Sequence, residues 1–280
     1  MSYNILSALA HFVENPTNVL DKPLEASSNR ASSMGDMLES FVKRFLCDGF
    51  DIKHKIELLD RYSESFSYTG GVNNPPDIMY RGGDAFEVKK IESLKGQVPL
   101  NSSFPKNKLY VTDSKISQEC VTCEEWTEKD IFYAIGYVKG CEIRHLWFVH
   151  GECYAANKNC YERILNAMTE GVSNLDGVEL SPTNEIARVN TVDPLKITYL
   201  RVRGMWGIVN PTKLYDYVYT PSEGANFTLA VLMTSEKYNK LKCSMGSEFP
   251  AEIEQSNVKI QNPNNPVDRI SAELLVYNSK

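Results

Sequence analysis

The chain has 280 residues, 42% of them hydrophobic and 24% charged, the balance of a folded globular protein with a sizeable core. Its net charge of −6 excludes a protein that coats nucleic acid indiscriminately, so any DNA contact must come from a local basic cleft on an acidic body. Seven cysteines, an odd number in a chain too long to need staples, argue against a disulfide framework, and no apolar run reaches the ~18 residues needed to span a bilayer.

Residues 3–13 read as a short amphipathic helix. No basic region or small-residue cleavage site accompanies it, so a cytoplasmic protein is expected. A loop with two prolines follows in NPTNVLDKPLEASSNR. The clearest helix in the sequence then runs from Met34 to Leu46, where Met34, Met37, Leu38, Phe41, Val42, Phe45 and Leu46 recur at helical spacing. Ser33 as cap, with Asp36 three residues later, supplies a capping box. Glu39 falls beside the apolar stripe rather than opposite it. A carboxylate there sits at the rim of the core and can point into a cleft. Residues 51–68 are expected to form a second helix, or a helix and a turn.

Residues 75–93, PPDIMYRGGDAFEVKKIES, read as a β-hairpin with strands Asp77–Arg81 and Ala85–Ile91. Alternate residues of a strand share a face, so Glu87 and Lys89 point the same way. A two-residue Gly82-Gly83 loop sets Asp77 opposite Val88; a three-residue Gly82-Gly83-Asp84 loop sets it opposite Lys89. Only an odd loop, or a one-residue bulge, puts Asp77, Glu87 and Lys89 on one face. If they converge, Asp77 and Glu87 are hard oxygen ligands suited to Mg²⁺, and the Val88 carbonyl can add a backbone ligand. Lys89 is then a point cation that orients an attacking water beside a phosphodiester, and Glu39 can hold a second ion or one of its waters. An ordinary surface hairpin with charges on its wet face accounts for the same residues, because Glu and Lys two apart are common on exposed strands.

LNSSFPKNKLYVTDSKIS is expected as a loop. KDIFYAIGYVK reads as a helix, followed by a turn at Gly140 and a buried strand from Ile143 to His150. His145 and His150 flank an aromatic run and read as core histidines. CYERILNAMTEGV is a further helix, LKITYLRVRGMWGI is β-like, and the tail KIQNPNNPVDRISAELLVYN is a polar turn before a last strand or helix. The pattern predicts one α/β domain over residues 1–280, with a mixed β-sheet flanked by helices. Cys120 and Cys123 form a CxxC pair with no second pair at a zinc-site spacing, so free buried thiols are expected and a zinc or thiol protein is the alternative.

Glu39, Asp77, Glu87 and Lys89 stand in the order of the PD-(D/E)xK nuclease core, which the stretch PD…EVK resembles. More narrowly, NRASSMGDMLESFVK, PPDIMYRGGDAFEVKKIES, LNSSFPKNKLY and LRVRGMW are similar to segments of type II restriction endonucleases of the NgoPII family, over residues 29 to about 206. The resemblance implies a restriction-endonuclease-like core and Mg²⁺-dependent hydrolysis of double-stranded DNA at a short palindromic site, GGCC by the family name, leaving 5′-phosphate ends. It implies a homodimer, since a palindrome mirrors a two-fold axis, and a cognate DNA methyltransferase as genetic partner. Lys90 directly after Lys89 departs from the minimal motif; strand alternation favours Lys89. For DNA contacts, Arg201 and Arg203 have the chemistry to read guanine edges, and Lys106 and Lys108, beside Asn101, Ser102 and Ser103, suit phosphate oxygens. Solvated strand and loop surfaces account for these cations too. Two other functions remain open: a non-catalytic DNA-binding protein with a nuclease-like core, and a repair-type nuclease without tight sequence preference.

Overall fold

The computed structural model describes residues 4–23, 34–70, 74–113, 115–183, 185–222, 224–245 and 249–279. Asn4 caps α1 (Ile5–Glu14), its side-chain oxygen accepting from the N–H groups of Leu6 at 2.9 Å and Ser7 at 3.1 Å. The amphipathic stripe then forms α2 (Met34–Leu46); the expected cap Ser33 lies outside the described residues. α3 (Lys55–Ser65) passes directly into β1 (Phe66–Tyr68), and the hairpin follows as β2 (Ile78–Tyr80) and β3 (Ala85–Ile91). Next come β4 (Gln97–Asn101), β5 (Lys108–Tyr110), α4 (Gln118–Thr122), β6 (Glu128–Lys139), β7 (Glu142–His150), α5 (Gly151–Tyr154) and α6 (Lys158–Ser173). The chain continues with β8 (Glu179–Ser181), β9 (Ala187–Asn190), β10 (Leu200–Val202), β11 (Trp206–Val209), α7 (Pro211–Leu214), β12 (Phe227–Thr234), α8 (Ser235–Met245), β13 (Glu254–Asn262) and β14 (Asn265–Ser279).

A large mixed sheet runs in the order β1-β2-β3-β6-β7-β12-β14-β13, with β5 also on β6. The β3–β6 and β7–β12 pairs are parallel and the others antiparallel. Two smaller sheets, β10-β9-β8 and β11-β4, stand apart from it. Among the described residues no helix is long and apolar enough to cross a membrane.

The expected helix at KDIFYAIGYVK is instead strand β6, near the centre of the sheet. Its residues divide by parity: Phe132, Ala134 and Val138 enter the core against α1, α2 and α3, while Ile131, Tyr133 and Ile135 enter the core on the opposite face. A strand buried on both faces shows an unbroken apolar run, which periodicity cannot distinguish from a buried helix segment. Two further expectations change. The loop after residue 100 contains β5, and the polar start of the tail, from Lys259, belongs to β13.

The helix-side core fixes α2 across the sheet. Phe45 stacks on Phe148 with ring centroids 4.9 Å apart, and Phe86 stacks on Phe132 at 5.7 Å. Each buried aromatic of this kind contributes roughly 1.5–3 kcal/mol by area alone. Leu38 lies directly over Gly136 of β6: a Cβ on that glycine would come within 2.8 Å of both Leu38 methyls. This contact decides how closely α2, and with it Glu39, approaches β3 and β6. Gly136→Ala is therefore expected to cost about 1–3 kcal/mol in urea unfolding, the usual range for overpacking. Adding Leu38→Ala should give less than the sum of the two single losses, because the clash and the cavity share one space; additive losses would show that the two residues do not meet.

Candidate active site

The β2–β3 register pairs Ile78 with Phe86 and Met79 with Ala85, and the Tyr80 N–H donates to the Asp84 carbonyl at 2.9 Å. The loop therefore holds three residues, Arg81, Gly82 and Gly83. Its length is odd, as the one-face arrangement requires, but it begins one residue earlier than the sequence suggested. Gly82 has φ +65°, the third-position conformation that a type II turn demands. Beyond these pairs the Asp77 N–H donates to the Phe86 carbonyl at 3.0 Å, so Asp77 does not stand opposite Lys89 but lies beside the Phe86–Val88 stretch of β3. Glu87 and Lys89 share the face of β3 away from Phe86 and Val88, and the Asp77 charge acts on both of them.

The charges are close. Lys89 Nζ lies 2.5 Å from Glu87 Oε1, and the Val88 N–H donates to Asp77 Oδ2 at 2.6 Å. Glu87 is 9% exposed, and its other oxygen, Oε2, has no hydrogen-bond partner among the described residues. Desolvation, reinforced by the Glu87 charge, pushes the Asp77 carboxyl up to about 7, against the pull of Lys89, the Val88 N–H and Lys43. Burial disfavours the Lys89 ammonium, but Glu87 and Asp77 outweigh it and hold its pKa above the ordinary lysine value.

Glu39 reaches the edge of this group from α2. Its carboxylate pairs with Lys43 Nζ at 2.7 Å, and its pKa is raised by burial, with Lys43 opposing and Asp77 adding to the rise. Lys43 was not singled out from the sequence, although its place four residues after Glu39 is the usual helical pairing distance. Among the described residues no three carboxylate, histidine or cysteine side chains are gathered tightly enough to hold a metal ion by themselves. The close donor set is Asp77, Glu87 and the backbone at Val88. Lys90 turns the other way and pairs with Glu92 at 2.7 Å.

Glu87 also borders a pocket with Pro75, Ser103, Phe104, Lys106 and Tyr133. Lys106 is only 6% exposed; its ammonium pairs with Asp113 at 2.9 Å and lies over the Phe104 ring. Tyr133, opposite Glu87 on β6, fixes that loop by accepting from the Lys106 N–H at 2.6 Å. Lys108 lies outside this pocket lining, paired with Glu128 at 3.2 Å and near Asp130 and Glu152. Arg201 and Arg203 also lie outside it, on and just beyond β10, and both engage Glu185, with Arg201 Nε 2.9 Å from its carboxylate. All seven cysteines are free thiols; Cys47, Cys120 and Cys153 are buried, and burial drives the Cys120 thiol up to about 12.

The raised Asp77 carboxyl has a consequence for stability. A carboxyl whose pKa is higher in the fold than in the unfolded chain binds more protons when folded, so stability falls as pH rises. Here the fall spans the interval from the ordinary value of 3.8 to about 7. Asp77→Asn keeps an oxygen for the Val88 N–H and removes the charge. In EDTA, urea unfolding should find this variant more stable than the parent at about pH 8, with the gap closing towards about pH 4. An equal or reversed stability at the higher pH would place Asp77 in a solvated environment.

The family model of the NgoPII restriction endonuclease matches residues 3–265. The type II restriction enzyme NgoPII of Neisseria gonorrhoeae is 40% identical over 277 residues, covering 98% of this chain and 99% of that protein. No solved structure matches the chain. With a match of that extent on both measures, the chain belongs to the NgoPII restriction endonuclease family and is an enzyme of that class.

Proposed function

We propose that the chain is a Mg²⁺-dependent type II site-specific deoxyribonuclease, built on a PD-(D/E)xK core, with residues 1–280 acting as one domain. The observation that supports this best is the gathering of Asp77 and Glu87, with Lys89 on the Glu87 carboxylate, at one hairpin beside a pocket. The family relationship supplies the substrate class, double-stranded DNA.

The site residues fit a small hard cation. Glu87 Oε2 is buried without a partner among the described residues, and Asp77 resists ionisation, so the pair is short of positive charge. Two carboxylates and the Val88 carbonyl match the demand of Mg²⁺, which keeps several waters and takes few protein ligands. When bound, Mg²⁺ offsets the charge gathering on the phosphate and makes water more acidic. The protein does the rest. Asp77 and Glu87 would hold the ion with the Val88 carbonyl, while Lys89 orients the attacking water and offsets negative charge on the phosphate. Glu39, steadied by Lys43, would hold a second ion or one of its waters at the rim. The water oxygen bonds to phosphorus and gives up a proton to solvent, the bond from phosphorus to the 3′ oxygen breaks, and that oxygen leaves with its electron pair and takes a proton from solvent. The products are a 5′-phosphate and a 3′-hydroxyl.

Lys106 and Lys108 meet phosphate oxygens, and Arg201 and Arg203 meet guanine edges, each exchanging a carboxylate partner for DNA. The site read is a short palindrome, GGCC, bound by a homodimer whose two-fold axis matches that of the DNA. A cognate methyltransferase protects the host's own copies, and the enzyme works in the cytoplasm.

The test is incubation of the purified protein with phage-length duplex DNA, in Mg²⁺ or EDTA, beside Asp77→Ala and Lys89→Ala. Discrete fragments are expected only with Mg²⁺ and the unmutated chain, with Lys89→Ala slower by about a hundredfold or more. Mapping the fragment ends gives the site. A smear in place of bands would replace this reading with a repair-type nuclease, and duplex that is bound but intact would replace it with an inert DNA-binding protein.

A further inference from the structure

Each residue of the β2–β3 turn is tied down by a group outside the hairpin. The Arg81 N–H donates to the Ser65 carbonyl at 3.0 Å, and its guanidinium donates to the Ser63 and Phe66 carbonyls at the α3–β1 junction. The Gly82 N–H donates to the Glu124 carboxylate at 2.9 Å. The Gly83 carbonyl accepts from Lys129 Nζ of β6 at 2.7 Å, and Lys129 is ion-paired with the same Glu124. Next to the turn, the Asp84 carboxylate receives Lys237 Nζ of α8 at 2.5 Å, and that ammonium also reaches Asp130 at 2.7 Å.

Asp84, Lys129 and Lys237 are buried, at 7%, 7% and 6% exposure. Burying three charges is costly, and well-packed apolar residues of similar size generally do the purely structural task better. Buried ion pairs are best attested where they fix a register. The hairpin's own ladder is short and does little to hold a register. Its ladder pairs only Ile78 with Phe86 and Met79 with Ala85, and β2 has three residues. A slip of one residue would turn Asp77 away from Glu87.

We propose that Glu124, Lys129 and Lys237 are positioning residues, which lock the Arg81–Asp84 turn and thereby hold Asp77 beside Glu87. This inference rests on the reading of that carboxylate pair as catalytic. Glu124 and Lys129 grip the backbone of the two glycines, where no side chain offers a handle. Lys237 ties the last residue of the turn to the far side of the sheet through Asp130. Asp130 also lies 3.7 Å from Lys108 Nζ, so it keeps a cationic neighbour without Lys237.

The experiment uses the full chain with Glu124→Ala, Glu124→Gln and the double variant Asp84→Asn/Lys237→Met, which removes both charges of one pair. Single-turnover DNA cleavage in Mg²⁺ and DNA affinity in Ca²⁺ are measured well below each variant's unfolding midpoint. Glu124→Ala and the double variant should lose about ten- to a hundredfold in cleavage rate, the scale expected when a reacting group is misplaced by an ångström. Their DNA affinity should stay within about twofold, and Glu124→Gln, whose amide oxygen still accepts from Gly82, should recover most of the rate. Folded variants that cleave at the parental rate overturn the inference, as does a loss no greater than the unfolded fraction. Asp77→Ala in the same assay separates the two levels: if it is dead while the turn variants are fully active, only the positioning role fails. If Asp77→Ala also cleaves normally, the site itself fails, and the lock with it.

Discussion

The parity of one three-residue turn governs which side chains meet in this protein. Side chains alternate along a strand, so the length of the Arg81–Gly83 loop decides whether Asp77 comes beside Glu87 or turns to the opposite core. The turn can be this short because Gly82 takes φ +65° without a Cβ to oppose it. Everything placed around the site presupposes that choice. Lys89 follows two residues after Glu87 on the same face, and Tyr133 stands opposite Glu87 on β6 to fix the loop that closes the pocket.

What keeps β3 from rotating is its other face. Phe86 and Val88 are committed to the core under α2, while Ala85 and Ile91 are committed to the second core. With both faces anchored in apolar packing, Glu87 and Lys89 have one direction available. The electrostatics then follow from placement rather than from any exceptional side chain. Two carboxylates are set against each other where water is scarce, which raises Asp77, and lysines from β3 and α2 offset part of that cost. Such an arrangement stores a demand for positive charge at one spot. A smooth, well-solvated hairpin would show no such demand.

The sequence disclosed the parts whose physics is local. α2 was legible because one face of it is apolar and the other polar, and the same geometry placed Glu39 at the rim and Lys43 four residues on. The hairpin was legible as alternation around glycines, and its odd loop as one of two options. It could not disclose that the loop starts at Arg81, because that choice is made by Ser65, Glu124 and Lys129, which are distant in sequence. β6 was misread because a strand covered on both faces loses its period, so the signal that distinguishes strand from helix is absent there. The cations were legible as cations only. That Lys106 is enclosed with Asp113, or that Arg201 and Arg203 share Glu185, depends on loop paths that no spacing rule specifies.

Those pairings bear on how an acidic protein of net charge −6 handles a polyanion. Its cations near the candidate DNA-facing segments are held by its own carboxylates: Lys106 by Asp113, Lys108 by Glu128, Arg201 and Arg203 by Glu185. Exposed pairs such as those of Arg201 are weak, so exchanging Glu185 for an acceptor on DNA costs little. Non-specific attraction is low because the field of the whole molecule opposes it. Binding then gains most where several donors meet matching acceptors at once, which only the right groove presents. On the proposed reading of those arginines, an acidic body that masks them makes the wrong sequence unrewarding, which is the selectivity a site-specific nuclease needs.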